Sequence, residues 1–279
     1  LAPMAVDVLK RFGFEETVAT QLVDQAVAFD ASLVPFVKGA EELADYTARY
    51  HPTDFAEFTR LIPAIDLNQA IADILQRLPV QINVTQPEYF KHLNQLLTTT
   101  PFEEFNAWLQ VKLILETTAY LTEDLRQLGD RYRGVLGGRR ATPSQEKQAY
   151  RMVVRYFDDV IGKYYSETYF GDQARQDVTQ MTRQMIDIYR QRLERNTWLS
   201  QTTKMRAIDK LDHLVLKVGY PDEIPAVYDQ IKVKTAADGG NLLNTILTIE
   251  RVKREADFLA VNQPTDRSRW MMTGQTVDA

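Results

Sequence analysis

Three histidines, His51, His92 and His213, are the only imidazoles in the chain, and there is no cysteine. A zinc centre that does chemistry uses three placed side-chain ligands and an open fourth position. Two histidines four residues apart share a helix face and can hold one such ion. Here no two histidines are four apart, and none is followed by glutamate. Glu88 and His92 have that spacing in PEYFKH, but two ligands without a third make a weak site. A di-metal bundle would need Glu-x-x-His pairs on facing helices, and none is present. Capping or surface roles are therefore expected for all three histidines, and no metal is expected on this chain.

The remaining candidates are carboxylate pairs and one glycine-rich stretch. Asp158-Asp159 and Asp209/Asp212 fall in helical patterns. General acid–base work needs two carboxylates converging in a cleft, and solvated helix surfaces are the simpler expectation. Gly134-Val135-Leu136-Gly137-Gly138-Arg139-Arg140 looks superficially like a phosphate loop. It lacks a preceding strand and the Gly-Lys-[Ser/Thr] ending, so an interhelical loop is expected. Without cysteine, neither a disulfide framework nor a thiolate nucleophile is available.

The 279 residues suffice for one large domain or two, and 44% hydrophobic with 25% charged residues is ordinary for a soluble globular chain. A net charge of −5 argues against a general nucleic-acid binder, which needs a basic face. No apolar run approaches the roughly 20 residues of a membrane span, and no signal peptide is expected at the start. With no cysteine, a reducing, cytoplasmic setting is expected. Leu1 is not methionine, so the numbering is expected to start inside a longer protein.

Apolar spacing of three and four dominates, which predicts an all-α, multi-helix fold with little sheet. Helices are expected over Leu1–Phe12, Thr17–Val34, Glu41–Tyr50, a short stretch ending at Ile62, Asp66–Leu78 and Pro87–Leu97. A long helix from Phe102 to about Tyr132, apolar on more than one side, should be buried among several neighbours. Another runs from Pro143 or Ser144 through Phe170. Val80–Thr85 alternates, which fits a short strand or an extended connector. After Pro225 the chain is irregular up to Gly239-Gly240, and a helix beginning near Leu242 ends before Pro264. There is no fixed-period repeat. The expected division is a helical region over 1–262 and an extended segment over 263–279.

The stretch from Ile161 to Ile224 organises the rest. Ala174, Val178, Met181, Met185, Ile188 and Leu193 recur along one helix face. Ser200 is a candidate N-cap for the next helix, whose stripe is Met205, Ile208, Leu211, Leu214 or Val215, and Val218. Gly219 is the expected left-handed stop, and Pro221 forbids continuation. The spelling adds to the pattern: Gly162, Tyr165, Glu167, Phe170, Thr197-Trp198, Thr203-Lys204, Ala207, Lys210 and Gly219-Tyr220-Pro221-Asp222. With Val84, Pro87, Glu88 and Tyr89 upstream and Val277-Asp278-Ala279 at the end, these residues resemble, in order and spacing, the neprilysin family of zinc metallopeptidases.

That resemblance implies a zinc metalloendopeptidase cutting peptides of limited size. This chain would be mostly the helical, non-catalytic lobe, facing the catalytic lobe of the same protein across a substrate chamber. The zinc, its H-E-x-x-H ligands and the general base would lie after Ala279. The family's Val-Asn-Ala-aromatic segment is an edge strand that binds the substrate main chain, as in β-strand addition. By this resemblance Asp278 and Ala279 are candidate substrate-binding residues. Asp278 departs from the pattern, because a carboxylate cannot donate the amide hydrogen bond of asparagine. A free-standing all-α interaction module without catalysis fits composition and periodicity equally well.

Overall fold

The computed structural model describes residues 1–75, 77–139, 141–261 and 263–276. Helices dominate, and the only sheet among the described residues is a pair of three-residue strands. The chain divides into two compact units: Leu1–Gln145 with Ile231–Gln263, and Glu146–Gln230 with the tail from Pro264.

The first unit opens with α1 (Ala2–Phe12) and α2 (Glu16–Leu33). Gly13 separates them at φ 111°, a left-handed position that glycine takes without a Cβ penalty, and its N–H closes α1 on the Leu9 and Lys10 carbonyls. Short elements follow: α3 (Ala40–Leu43), β1 (Pro52–Asp54), α4 (Phe55–Thr59), α5 (Leu67–Leu75), β2 (Gln81–Asn83) and α6 (Pro87–Thr99). The alternating stretch after Val80 is thus a strand. Its antiparallel partner pairs Pro52 with Asn83, Thr53 with Ile82 and Asp54 with Gln81. The partner went unread because Pro52, which lacks an N–H, reads as a helix stop. An edge position tolerates that loss. The expected helix over Glu41–Tyr50 stops at Leu43, because the Asp45 carboxylate caps the Thr47 and Ala48 amides in a separate turn.

The expected long helix from Phe102 is two helices, α7 (Phe102–Thr117) and α8 (Glu123–Leu136), joined by a single tight turn at Thr118–Tyr120. Threonine side chains bond back to the helix: Thr117 to the Leu113 and Ile114 carbonyls, and Thr118 to Leu115. Such back-bonding bends helices. The core lies where α1, α2 and α7 meet, around Val8, Leu9, Ala19, Val23, Val111 and Leu115. Phe29 is buried against the rings of Phe105 and Trp108 at 5.4 and 5.3 Å. Only one face of α7 is covered: Ala107, Val111, Ile114 and Leu115 are buried, whereas Leu113 is exposed, so burial on several sides is not what forms. On α8, Leu128 and Tyr132 pack against this core while half-buried, and the fully buried positions are not apolar side chains. They are Arg126, Gly129, Asp130 and Gly134. The helix α13 (Leu242–Ala260), capped by the Asn241 carboxamide on the Asn244 amide, completes this unit.

The second unit holds α9 (Gln145–Tyr156) from Glu146 on, α10 (Asp158–Tyr169), α11 (Gly171–Arg195) and α12 (Gln201–Asp212). One helix was expected across α9 and α10. Phe157 interrupts it at φ −123°, ψ 35°, and Asp158 and Asp159 then sit in the first turn of α10, where the helix dipole favours them. Ser200 caps α12, accepting the Thr203 amide at 3.2 Å. That helix ends at Asp212, short of Gly219. The tail supplies partners for this non-helical stretch: Arg267 Nη2 donates to the His213 carbonyl at 2.8 Å, and Lys217 Nζ donates to the Arg269 carbonyl. The described tail, 264–276, forms only turns and bends.

Candidate functional site

A polar cluster in the second unit surrounds Tyr220. Gly171 and Gly219, both in left-handed backbone at φ 74° and 75°, turn the chain after α10 and before Tyr220. The Phe170 ring packs on Gly219 so closely that a Cβ there would lie 2.7 Å from it. These turns deliver a buried Tyr220 beside the first turns of α11. Its hydroxyl donates to Asp172 Oδ1 at 2.5 Å. The Arg175 guanidinium lies 4.8 Å from its ring centroid and donates to Asp222 Oδ1 at 2.8 Å. Lys163, from α10, donates to the Asp222 carbonyl and pairs with Glu167 at 3.4 Å.

These six residues line a cleft of about 430 Å³. A second groove of about 510 Å³ runs along α11 past Gln176, Thr179, Gln180 and Arg183. The hydrogen bond to Asp172, then burial, push the Tyr220 phenol above its ordinary range, while Arg175 opposes them. Tyr220 therefore stays a donor at neutral pH. A carboxylate is too weak a base to deprotonate a phenol pushed above its ordinary range, so the Tyr220–Asp172 pair clamps and positions rather than activates. Sequence reading had singled out Tyr220 and Asp222 but not Lys163, Asp172 or Arg175. The available signal was Asp172 and Arg175 at i,i+3 on the helix that opens at Gly171.

The other candidates have structural partners. Asp158 Oδ1 and Asp159 Oδ2 both receive the Tyr228 hydroxyl, at 2.8 and 3.0 Å, and burial followed by Asp158 pushes that phenol far up. Asp212 is paired with Arg190, and Asp209 lies 3.4 Å from His213. Arg139 of the glycine-rich loop approaches the buried Asp130 carboxylate at 3.6 Å, and its amide donates to the Gly134 carbonyl. Arg140 lies outside the described residues.

His51 donates its amide to the Asn83 carboxamide, and His92 stacks on Phe36 with ring centroids 3.2 Å apart. Glu88 pairs with Lys91 rather than with His92. His51 and His92 belong to the first unit and His213 to the second. Among the described residues no three His, Asp or Glu side chains form a group that could hold a metal. The donor set among the described residues does not fit zinc. The candidate substrate-binding residues Asp278 and Ala279, with Val277, also lie outside the described residues. No helix among the described residues is long and apolar enough to cross a membrane.

Comparison with known proteins supplies the wider frame. The model described as peptidase family M13 matches residues 2–221. The neutral endopeptidase of Lactobacillus helveticus is 33% identical over 279 residues, which is all of this chain and 43% of that protein. The crystal structure of PEPO from Lactobacillus rhamnosis HN001 (DR20) superposes with a TM-score of 0.87 at 36% identity, over 98% of this chain and 43% of that one. A zinc metalloprotease of Mycobacterium tuberculosis, ZMP1, shares the fold at a TM-score of 0.82 and 22% identity, over 99% of this chain and 43% of its own. The chain therefore spans less than half the length of the relatives it matches. Matched by the family model over most of its length and by these relatives along nearly all of it, the chain belongs to peptidase family M13, the neprilysin-type family that its three motifs resemble.

Proposed function

We propose that this chain is the helical, non-catalytic part of a zinc metalloendopeptidase that hydrolyses peptides. The observation that carries the reading is its 33% identity, end to end, with a neutral endopeptidase more than twice as long. In this reading the described helices wall a substrate chamber and restrict which peptides enter. The zinc ligands and general base belong to sequence beyond residue 279. Zinc in the whole protein would polarise the scissile carbonyl and supply an activated water. Asp278 and Ala279 bind the substrate main chain by strand addition, with backbone groups carrying the contact where the Asp278 carboxylate cannot donate. A cytoplasmic setting, supported by the cysteine-free sequence, completes the proposal.

The test compares the whole protein with the 279-residue chain for metal content and peptide hydrolysis. The whole protein should carry zinc and lose activity to a chelator, and the chain alone should do neither. Stoichiometric zinc in the chain, or chelator-sensitive cleavage by it, would move the active site into these residues. A whole protein with neither zinc nor peptidase activity would leave the all-α interaction module as the better reading.

A further inference from the structure

Gly162 belongs to the family spelling, yet it is not among the residues that line the Tyr220 cleft. It is buried on α10, four residues before the equally buried Ser166. Residues at that spacing share a helix face, so the pair forms a shallow notch with almost no side chain in it. The tail fills that notch. A Cβ on Gly162 would lie 2.3 Å from Gln275 Oε1 and 2.8 Å from the Gly274 nitrogen. A Cβ on Gly274 would lie 2.2 Å from Ser166 Oγ, 2.7 Å from the Gly162 carbonyl oxygen and 3.1 Å from that of Gly219. Gly274 is thus pinned between α10 and the turn that carries Tyr220, largely by backbone atoms that cannot rotate aside. Just beyond, the Thr276 amide donates to the Thr273 carbonyl at 2.9 Å and closes a turn.

We propose that Gly162 and Gly274 are positioning residues: their contact sets the register in which the tail delivers Asp278 and Ala279 to the substrate main chain. This rests on the reading of those two residues as a substrate-binding edge. Asp278 follows Gly274 by four residues, a reach of at most about 14 Å, so a pin at Gly274 leaves little slack. Strand pairing demands such control, because a slip of one residue turns every side chain to the opposite face. The tail's other fastenings, Arg267 on the His213 carbonyl and the Arg269 carbonyl on Lys217, lie further from Asp278 and restrain it less.

The test uses the whole protein with G162A and G274A. G129A is the control, because it overpacks α8 in the first unit, where the added Cβ would meet Thr118 Oγ1 at 1.9 Å. Each is assayed for zinc content, peptide hydrolysis, hydrogen exchange in the tail, and inhibition by acetohydroxamate, a zinc ligand too small to engage the edge. G162A and G274A should each raise the peptide KM at least about fivefold, the equivalent of one main-chain hydrogen bond to substrate. Their kcat should stay within about twofold, because such contacts are made in the ground state and the transition state alike. The hydroxamate inhibition constant should hold, exchange at the Thr276 amide should quicken, and G129A should leave KM unchanged. A KM within about twofold of the parent in zinc-loaded G162A and G274A would overturn the proposal. An equal rise in G129A would also overturn it, by making the effect one of general stability. If G274A does not fold, G162A decides, since its Cβ first meets the end of the Gln275 side chain. A parent protein with neither zinc nor peptidase activity refutes the peptidase reading and this proposal with it, whereas an unchanged KM in active variants refutes the register alone.

Discussion

Gly129 in the middle of α8 offers a test in which two physical effects have opposite signs. In an exposed helix interior, Gly→Ala stabilises by about 0.8–1.0 kcal/mol, because alanine loses less backbone entropy on folding. At Gly129 the added Cβ would stand 1.9 Å from Thr118 Oγ1 and 2.6 Å from Thr118 Cβ. Thr118 is fully buried and cannot swing away cheaply. Its hydroxyl donates to the Leu115 carbonyl at 2.7 Å and accepts from Arg133 Nη1 at 2.8 Å. Overpacking of this kind costs about 1–3 kcal/mol. Displacing the hydroxyl adds about 0.5–1.5 kcal/mol for each hydrogen bond lost. Taken against the helix-propensity gain, G129A should destabilise by about 2 kcal/mol. That corresponds to a fall of roughly 4–8 °C in the melting temperature for a unit of this size. Circular dichroism at 222 nm during heating reads it. An unchanged or higher melting temperature would refute the close approach of α8 to Thr118.

The same melting assay checks two further expectations. Tyr228 has its phenol pushed above the ordinary value of 10.0 by burial and then by Asp158. A folded-state pKa above the unfolded one gives stability that is complete below pH 10 and lost as pH rises through the folded value. Melting temperature should therefore fall above pH 10, and Y228F should flatten that decline; an equally steep decline in the variant would show that Tyr228 is not its source. At Gly219, φ of 75° disfavours any Cβ by about 1–2 kcal/mol, and the Phe170 ring stands in its way. G219A should thus lower stability by about 2 kcal/mol or more, and loss of Tyr220 protection in hydrogen exchange should accompany it.

Periodicity located most helices because it reports which side chains lie on one face, and that information is local. α1, α2, α6, α11 and α13 follow their apolar spacing closely, and Ser200 caps α12 as its hydroxyl suggested. Periodicity did not locate the breaks at Thr118 and Phe157, because the apolar pattern continues through both. The first break depends on threonine hydroxyls choosing backbone partners, and the second on one residue leaving helical geometry. The pairing of β1 with β2 was equally hidden: it joins residues about thirty apart, and neither strand exceeds three residues. The Tyr220 cluster needed Asp172, in the first turn of α11, brought to Asp222, in the loop beyond α12, which spacing along one helix cannot show.

The family spelling carries information that the periodicity lacks. Gly219-Tyr220-Pro221-Asp222 could be read as a helix stop, and glycine followed by proline supports that. Yet α12 ends seven residues earlier, at Asp212. The four residues instead build the turn that holds Tyr220 against Asp172 and Arg175. Gly219 is needed for its left-handed φ and for the Phe170 ring beside it, and Asp222 for the Arg175 ion pair. Lys163, Glu167 and Phe170, which meet this turn, lie on α10 and its C-terminal end some fifty residues upstream. A motif spread over sixty residues is thus one three-dimensional clamp, and its spacing was fixed by the length of the α11–α12 hairpin between its halves. That is why the resemblance was specific although none of its short pieces was.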